Sequence, residues 1–309
     1  MTTLLLTHPA CLAHDMGPHH PESPARLGAI LAALDGPEFA ALERAEAPLA
    51  QREMLVRVHE AAYVDGLLAA VPKRGIVELD PDTVLCPGSG EAALRAAGAV
   101  AAAVDAVVEG GAGNAFCAVR PPGHHAESGA AMGFCLFNNV AVGALHAREA
   151  HGLGRIAVID FDVHHGNGTQ HMFEADGGLF YASTHQWPLY PGTGARSERG
   201  LGNICNAPLP PGADGAAFRA AMTDTVLPAL DRFAPELVMI SAGFDAHRAD
   251  PLASLELEEA DFAWATDRLL ELAARHAGGR LVSTLEGGYD LAALAASAAA
   301  HVRRLLAAG

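Results

Sequence analysis

The sequence is poor in basic residues. Lysine and arginine together number 20 against 36 aspartates and glutamates, so the formal net charge is −16, and Lys73 is the only lysine. Binding to a nucleic-acid backbone requires a basic surface, so this charge balance argues against nucleic-acid partners. An acidic surface can steer a cationic ligand toward the protein, although it also serves solubility alone.

Signals for export, disulfides and membrane insertion are also missing. The five cysteines, an odd number, form no Cys-x-x-Cys pair, which favours a reduced intracellular compartment over a disulfide framework. The first residues, MTTLLLTHPA, lack the basic region of a signal peptide. No run approaches the roughly 18 apolar residues of a membrane span. We therefore expect a cytoplasmic protein without a membrane partner, and the sequence is compatible with a monomer or an oligomer.

The composition is that of a folded chain with a large core. Half of the 309 residues are hydrophobic and 18% are charged, which argues against a disordered protein. No repeat, linker or shift in composition divides the sequence. A single domain over residues 1–309 is therefore the simplest interpretation.

Short apolar runs alternate with longer segments of helical periodicity. The runs are continuous and partly β-branched, as is typical of strands buried on both faces. The predicted strands are Leu4–Leu6, Phe116–Val119, Ile156–Ile159, Leu179–Ala182, Leu237–Ile240 and Leu281–Thr284. The predicted helices are Ser23–Leu34, Ser89–Val108, Leu136–Glu149, Asp214–Phe233, Glu258–His276 and Leu291–Leu306. This alternation predicts an α/β fold with a parallel sheet between two layers of helices.

Polar segments follow five of the predicted strands. Ligands of open α/β sheets bind outside the carboxyl ends of the strands, so we expect these segments to meet at one edge. They are Arg120–His125, Asp160–Gly166, Ser183–His185, Ser241–Asp245 and Leu285–Asp290.

Two of these segments contain metal-ligating side chains. Asp160, Asp162 and His164 alternate at a strand end, so all three can point the same way. Asp162 and His164, completed by Asp245 from another strand end, would form a three-ligand site with one position open, as catalytic zinc requires. Iron, cobalt and manganese also fit this ligand set. A single Asp or His is more often a capping, paired or packing residue, but the run from Asp160 to Gly168 is specific as a block.

Two adjacent histidines and a tyrosine supply further chemistry. His124 and His125 follow Pro121-Pro122-Gly123, and beside a metal two imidazoles can divide the roles of base and acid. Tyr289 follows two glycines, and its phenol can stabilise a developing oxyanion. His19-His20 and His247 carry weaker signals, the former at the rim of a site. We interpret the isolated histidines as surface or packing residues, namely His8, His59, His146, His151, His276 and His301.

Taken in order, these motifs resemble those of the histone deacetylases, from about residue 8 to residue 290. The matching segments are HPESPARL (20–27), RPPGHHA (120–126), DFDVHHGNGTQ (160–170), YPGTG (190–194), SAGFD (241–245) and EGGYD (286–290). Asn167 stands where class I members carry Asp, so the sequence is similar to the class II branch. Bacterial members of that branch include histone-deacetylase-like amidohydrolases and acetylpolyamine amidohydrolases, and the scarcity of lysine is typical of a GC-rich bacterial genome.

The resemblance implies an arginase/deacetylase fold with about eight mostly parallel strands and a zinc-dependent amidohydrolase. It implies Asp162, His164 and Asp245 as zinc ligands. It also implies catalytic and channel roles: His125 as base paired with Asn167, His124 paired with Asp160, Tyr289 as carbonyl-polarising group, and Gly133, Phe134, Tyr190, Leu252 and Gly287 at the substrate.

The resemblance further implies structural potassium. The first potassium would involve Asp160, Asp162, His164, Ser183 and Thr184, partly through backbone carbonyls, and the second Phe173, Asp176 and Leu179.

Two other functions fit parts of the pattern. A binuclear manganese ureohydrolase needs further carboxylates, but Gly166 and His247 stand where they would be. A catalytically inactive acyl-amine binding module would have lost a ligand or the tyrosine, and both are retained. We therefore expect hydrolysis of an acetyl or other acyl group from an amine. Leu252 at the gatekeeper position and Arg248 near it favour acyl-lysine, whereas the acidic composition keeps an acetylpolyamine as the alternative.

Overall fold

The computed structural model describes residues 2–309. Within this range, eight strands form one sheet in the order β2-β1-β5-β10-β9-β6-β7-β8, and every neighbouring pair is parallel. A separate antiparallel hairpin contains β3 and β4. The predicted α/β fold with a parallel sheet is confirmed.

The strands are β1 (Thr3–Thr7), β2 (Glu43–Glu46), β3 (Val77–Asp80), β4 (Thr83–Leu85), β5 (Asn114–Cys117), β6 (Ile156–Asp160), β7 (Leu179–Gln186), β8 (Ile204–Leu209), β9 (Leu237–Ala242) and β10 (Leu281–Leu285). The α-helices are α1 (Pro24–Leu34), α2 (Arg52–Leu55), α3 (Ala61–Ala70), α4 (Ser89–Val108), α5 (Asn139–His151), α6 (Asn167–Phe173), α7 (Gly215–Ala221), α8 (Leu227–Phe233), α9 (Glu259–His276) and α10 (Leu291–Ala308).

The central strands follow the apolar pattern closely. Every residue of β5, β6, β9 and β10 is buried, because helices cover both faces of the sheet. Strand β2, with the sequence ERAE, was missed because all four of its residues are exposed at the sheet edge. The five cysteines are free thiols, as the composition predicts.

The helices show how local sequence sets their ends. Helix α5 begins later than predicted because the Asn138 side chain caps it by accepting from the Ala141 N–H, and it ends at Gly152 in the left-handed conformation. The predicted helix Asp214–Phe233 is divided by a π-helical turn, Met222–Val226, between α7 and α8. The sequence predicts no apolar run of membrane-spanning length, but helix α10 reaches that length and apolar composition. It packs against α1 and α9 as a core helix does.

Because the strands are parallel, their carboxyl ends meet along one edge of the sheet. The polar segments predicted after β5, β6, β9 and β10 lie at this edge. Ser183–His185, predicted to follow a strand that ends at Ala182, instead forms part of β7, which continues to Gln186. In the sheet, β10, β9 and β6 are direct neighbours, so the segments after them are brought together although they are far apart in the chain.

Candidate active site

Three side chains converge on one point at the carboxyl edge of the sheet. His164 Nδ1 lies 3.1 Å from Asp162 Oδ1 and 3.1 Å from Asp245 Oδ2. Both aspartates are fully buried, and His164 is 9% exposed. Burial disfavours a charged imidazole, but the hydrogen bonds to the two carboxylates raise the pKa of His164 to about 10. The pocket therefore favours positive charge, and this donor set fits a divalent cation with three protein ligands.

Strand β6 ends at Asp160, so Asp162 and His164 belong to the loop that follows it. The Asp160 carboxylate instead accepts hydrogen bonds from His124 Nδ1 at 2.9 Å and from the Tyr181 hydroxyl at 3.0 Å. Asp160 therefore lies behind the three converging side chains as the partner of His124. The sequence predicts that Asp160, Asp162 and His164 point the same way from one strand. In the structure, Asp162 and His164 converge with Asp245, and Asp160 contacts His124 instead.

Asp162 and Asp245 are enclosed by glycines. A Cβ on Gly287 would lie 2.1 Å from Asp245 Oδ2, and a Cβ on Gly243 would lie 2.1 Å from Asp162 Oδ2. The Gly287 N–H donates to Asp162 Oδ2 at 2.8 Å, which fixes that carboxylate. Gly287 thus holds Asp162 through its backbone, and any side chain at either glycine would displace these two carboxylates.

A second metal of the ureohydrolase kind has no place beside Asp160. A Cβ on Gly166 would lie 2.4 Å from Asp160 Oδ2, so a carboxylate at this position would collide with it. At the other position, His247 Nδ1 accepts a hydrogen bond from the Ala249 N–H, so this nitrogen stabilises the local turn and is not free to bind a metal. These contacts leave no room for the further carboxylate that a binuclear site would need at residue 166.

The two histidines after β5 have opposite electrostatic environments. Burial lowers the pKa of His125 well below the ordinary histidine value, and the nearby His124 and His164 add to this effect. Burial acts the same way on His124, but the carboxylates of Asp160 and Asp162 outweigh it and raise its pKa well above the ordinary value. At neutral pH, His125 is therefore neutral and His124 is positively charged.

The tautomer of His125 follows from its hydrogen bond. Asn167 Nδ2 donates to Glu127 Oε1 at 2.9 Å, which leaves Asn167 Oδ1 to accept from His125 Nδ1 at 2.8 Å. Nε2 of His125 therefore carries the free lone pair. An imidazole with this arrangement can take a proton.

A pocket of about 250 Å³ leads to the convergence point. Its lining consists of Asp82, His125, Gly133, Phe134, His164, Leu189, Tyr190, Leu252 and Tyr289. Phe134 and Tyr190 form aromatic walls, with Phe134 5.8 Å from the Tyr289 ring and Tyr190 5.2 Å from the His125 ring between centroids. Gly133 precedes Phe134, and both have positive φ, so the chain turns sharply to present the aromatic ring.

Tyr289 is half-buried and held from two sides. Its N–H donates to Asp250 Oδ2 at 2.7 Å, and the Arg26 guanidinium lies 4.9 Å from the centroid of its ring. Burial raises the pKa of Tyr289 well above the ordinary tyrosine value, although the charge of Arg26 opposes this effect. The phenol therefore keeps its proton and can donate a hydrogen bond into the pocket.

Sequence reasoning missed a buried charge network behind Tyr289. Glu22 Oε1 pairs with Arg26 at 2.8 Å, and Glu22 Oε2 accepts from Arg120 at 2.6 Å, with all three side chains fully buried. Arg26 also donates to the carbonyls of Gly288 and Glu286. The network thus anchors the loop that carries Tyr289. The motifs HPESPARL and RPPGHHA contain these residues but do not indicate that they pair.

Sequence reasoning also missed Asp82 and Leu189 in the pocket lining. Asp82 lies in the turn of the β3–β4 hairpin, which the apolar pattern did not predict. His20, expected at the rim, packs edge-on against Phe134 at 4.8 Å between centroids, and its Nε2 lies 3.1 Å from the Asp82 carbonyl.

The residues predicted to bind potassium lie in two places. Ser183 lies opposite Asp160 in the register of β6 and β7, and its hydroxyl pairs with His185 Nδ1 at 2.9 Å. The hydroxyl of the next residue, Thr184, is buried without a hydrogen-bond partner among residues 2–309. The carbonyls of Phe173, Asp176 and Leu179 converge at a separate place, where they accept hydrogen bonds from one side-chain amide.

Comparisons with known proteins agree with this geometry. The family model for the histone deacetylase domain matches residues 20–305. The histone deacetylase-like amidohydrolase of Pseudomonas aeruginosa is 41% identical over 303 residues, which cover 91% of this chain and 80% of the relative. The human polyamine deacetylase HDAC10 is 40% identical over 92% of this chain and 44% of its own length. The crystal structure of the HDA15 HD domain covers 99% of this chain and 90% of its own, with a TM-score of 0.91 and 36% identity.

Proposed function

Because this chain belongs to the histone deacetylase family, we propose that it is a zinc-dependent deacetylase acting on acyl-lysine side chains or similar acyl-amines. Membership places it among amide-cleaving hydrolases. The observation that carries the proposal is the convergence of Asp162, His164 and Asp245 at the pocket that His125 and Tyr289 line. This arrangement combines a cation site, a neutral base and a phenol donor in one cavity.

Each side chain has a role that follows from its environment. A zinc ion held by Asp162, His164 and Asp245 would polarise the amide carbonyl and lower the pKa of a bound water. His125 is neutral with its Nε2 lone pair free, so it takes the proton from the attacking water. The Tyr289 phenol donates to the developing oxyanion.

The leaving amine needs a proton, and His124 can supply it. The Asp160 carboxylate holds His124 in its charged form and fixes Nδ1 at 2.9 Å. Nε2 of this imidazolium therefore also carries a proton, which it can release as the C–N bond breaks. The paired histidines, with ring centroids 4.0 Å apart, thus divide the base and acid duties.

The pocket favours a substrate with an apolar stem. Phe134, Leu189, Tyr190 and Leu252 give it hydrophobic walls, which suit the methylene chain of an acyl-lysine. Leu252 contributes no charge that would select a polycation. Asp82 at the same pocket and the net charge of −16 favour an acetylpolyamine as the second candidate, and one relative bears the name polyamine deacetylase.

A steady-state comparison tests the proposal. The purified enzyme is assayed on an acetyl-lysine peptide, N-acetylputrescine and N-acetylspermidine, before and after chelation and with zinc restored. We expect the highest kcat/KM on the peptide, loss of activity with the chelator and recovery with zinc. A higher kcat/KM on the polyamines would support the second candidate, and a zinc-loaded protein inert on every acyl-amide would refute deacetylase activity.

A further inference from the structure

A second group of metal-ligating side chains lies at the opposite edge of the sheet. It consists of Asp105 near the end of α4 and of His146 and His151 near the end of α5, and we call it the helix-pair cluster. The strands after these helices, β5 and β6, begin close by in the chain. The helix-pair cluster is therefore at the amino ends of the strands, whereas the pocket is at their carboxyl ends.

Both imidazoles of the helix-pair cluster point at the same oxygen atom. Asp105 Oδ1 lies 2.6 Å from His146 Nε2 and 2.7 Å from His151 Nε2. The three atoms all lie within 4.8 Å of one another. His146 is 6% exposed, and its Nδ1 has no hydrogen-bond partner in the part of the chain that the structure describes. Nε2 is therefore the atom that fixes this buried ring.

Two imidazole nitrogens and one carboxylate oxygen are a ligand set that suits zinc. Zinc bonds of about 2.0–2.2 Å place tetrahedral ligand atoms about 3.4 Å apart. The distances from Asp105 Oδ1 to the two nitrogens would need to lengthen by less than about 1 Å to admit the ion. The Asp105 side chain is 41% exposed, so it is free to make this adjustment, and water can reach the fourth position.

We propose that the helix-pair cluster is a second zinc site, which clamps α4 to α5. These two helices pack against each other along their length, so an ion bound to both restrains their separation. The cluster lies outside the pocket lining, and bound zinc there would stabilise the folded chain without changing the chemistry of the pocket.

Zinc titration of the holoenzyme tests this second site. Protein already loaded with one zinc per chain is titrated with ZnCl₂, with calorimetry and the melting temperature as readouts. We expect wild type to take up a second equivalent and to melt at a higher temperature. His151→Gln, at the helix end, and Asp105→Asn should each weaken the second equivalent at least about tenfold and remove the rise in melting temperature. Deacetylase activity should persist in both variants.

His276→Gln is the matched control, because His276 Nε2 also contacts a carboxylate, Asp231 Oδ1, at 2.7 Å but shares it with Arg275 rather than with a second imidazole. This variant should bind the second equivalent as wild type does. A His164→Ala chain should lose the catalytic zinc and keep the other, so failures of the two zinc proposals are distinguishable. Absence of a second equivalent in wild type, or undiminished binding in the two cluster variants, would overturn the proposal.

A separate observation concerns the predicted second potassium. Asn203 Nδ2 lies 2.8, 3.0 and 2.7 Å from the carbonyl oxygens of Phe173, Asp176 and Leu179, the three groups that would bind the ion. Asn203 Oδ1 accepts from the Leu201 N–H at 2.9 Å, which fixes the orientation of the amide. Asn203 is 4% exposed, so the amide is locked in the interior.

We infer that the Asn203 amide takes the place of the second potassium. Its nitrogen shares two N–H hydrogens among the three converging carbonyls, and a cation at that point would collide with it. The carbonyls therefore do not fit the ion that the family resemblance predicts, and the chain should bind potassium near Asp160 alone.

Crystals grown in RbCl test this inference, because anomalous scattering locates the ion. We expect no rubidium peak at the carbonyls of Phe173, Asp176 and Leu179 in wild type. Asn203→Gly should open the space and gain a peak there, together with a melting temperature that rises with KCl more than that of wild type. A wild-type peak at the three carbonyls, or a variant with neither change, would overturn the inference.

Discussion

Replacing Glu22 by glutamine should destabilise the protein strongly. Glu22 is fully buried between Arg26 and Arg120, so the substitution leaves two buried guanidinium groups without a countercharge. Breaking a buried ion pair by removing one partner costs about 3–5 kcal/mol. Burial alone would raise the pKa of Glu22, but the arginines lower it from 4.5 to about 2, which corresponds to about 3 kcal/mol.

The predicted loss is measurable by thermal unfolding. For a chain of 309 residues, the average unfolding entropy per residue means that a loss of 1 kcal/mol in the free energy of unfolding lowers the melting temperature by about 1.5 °C. Glu22→Gln should therefore lower the melting temperature by roughly 5–8 °C at pH 7.5. Glu271→Gln is the control, because Glu271 pairs with Arg268 at 2.6 Å on the surface, where such pairs contribute at most about 1 kcal/mol.

The sign of the pH dependence gives a second check. Because the pKa of Glu22 is lowered in the folded state, the ionised carboxylate adds its full contribution to the free energy of unfolding above about pH 4.5. That contribution is lost as the pH falls through about 2. The difference between wild type and Glu22→Gln should therefore be constant from pH 8 to 5 and shrink at lower pH. Equal melting temperatures at pH 7.5 would refute the account of the buried network.

Three further predictions concern the pocket. Tyr289→Phe should lower kcat about 10²–10³-fold while the zinc content measured by mass spectrometry is unchanged, and an unchanged kcat would remove the phenol from the mechanism. Asn167→Asp places a carboxylate beside His125 Nδ1 and should raise the pKa of that histidine. The acidic limb of the profile of kcat/KM against pH should therefore move to higher pH by about one unit. A limb that stays in place would contradict the role of His125 as base. Leu252→Glu should raise kcat/KM for acetylspermidine relative to the acetyl-lysine peptide by about tenfold, and Leu252→Gln is the uncharged control. An unaltered ratio would show that residue 252 does not determine which amine substrate is preferred.

The sequence predicts the parts of the fold that depend on burial. Strands β6 and β9 begin with continuous apolar runs because both their faces are covered, and the parallel order of the sheet predicts that the polar segments meet at one edge. Strand β2 escapes prediction because the edge of the sheet imposes no apolar pattern on it. The hairpin that presents Asp82 escapes prediction because β3 is only partly buried and β4, although buried, is three residues long.

In the candidate site, too, the sequence predicts the residues that motifs carry and not the contacts that depend on packing. The motifs predict the convergence of Asp162, His164 and Asp245, because the run from Asp160 to Gly168 is specific as a block although a single Asp or His is not. They do not predict pairings that depend on packing, such as Glu22 with Arg120, which are 98 residues apart in the chain. His146 and His151 are isolated in the sequence and were interpreted as surface or packing residues, because their common partner Asp105 lies on another helix.

The order of strands in the sheet bears on how the chain is made. The last two strands, β9 and β10, occupy the centre of the sheet, between β5 and β6. Until residues 237–285, which contain β9 and β10, leave the ribosome, the earlier strands form two separate groups with exposed edges facing each other. Asp245 follows β9, so the group of Asp162, His164 and Asp245 is also completed only after β9 is made. Premature termination in this region would therefore yield an aggregation-prone chain rather than a weakened enzyme, and chaperone demand should be greatest just before β10 is released.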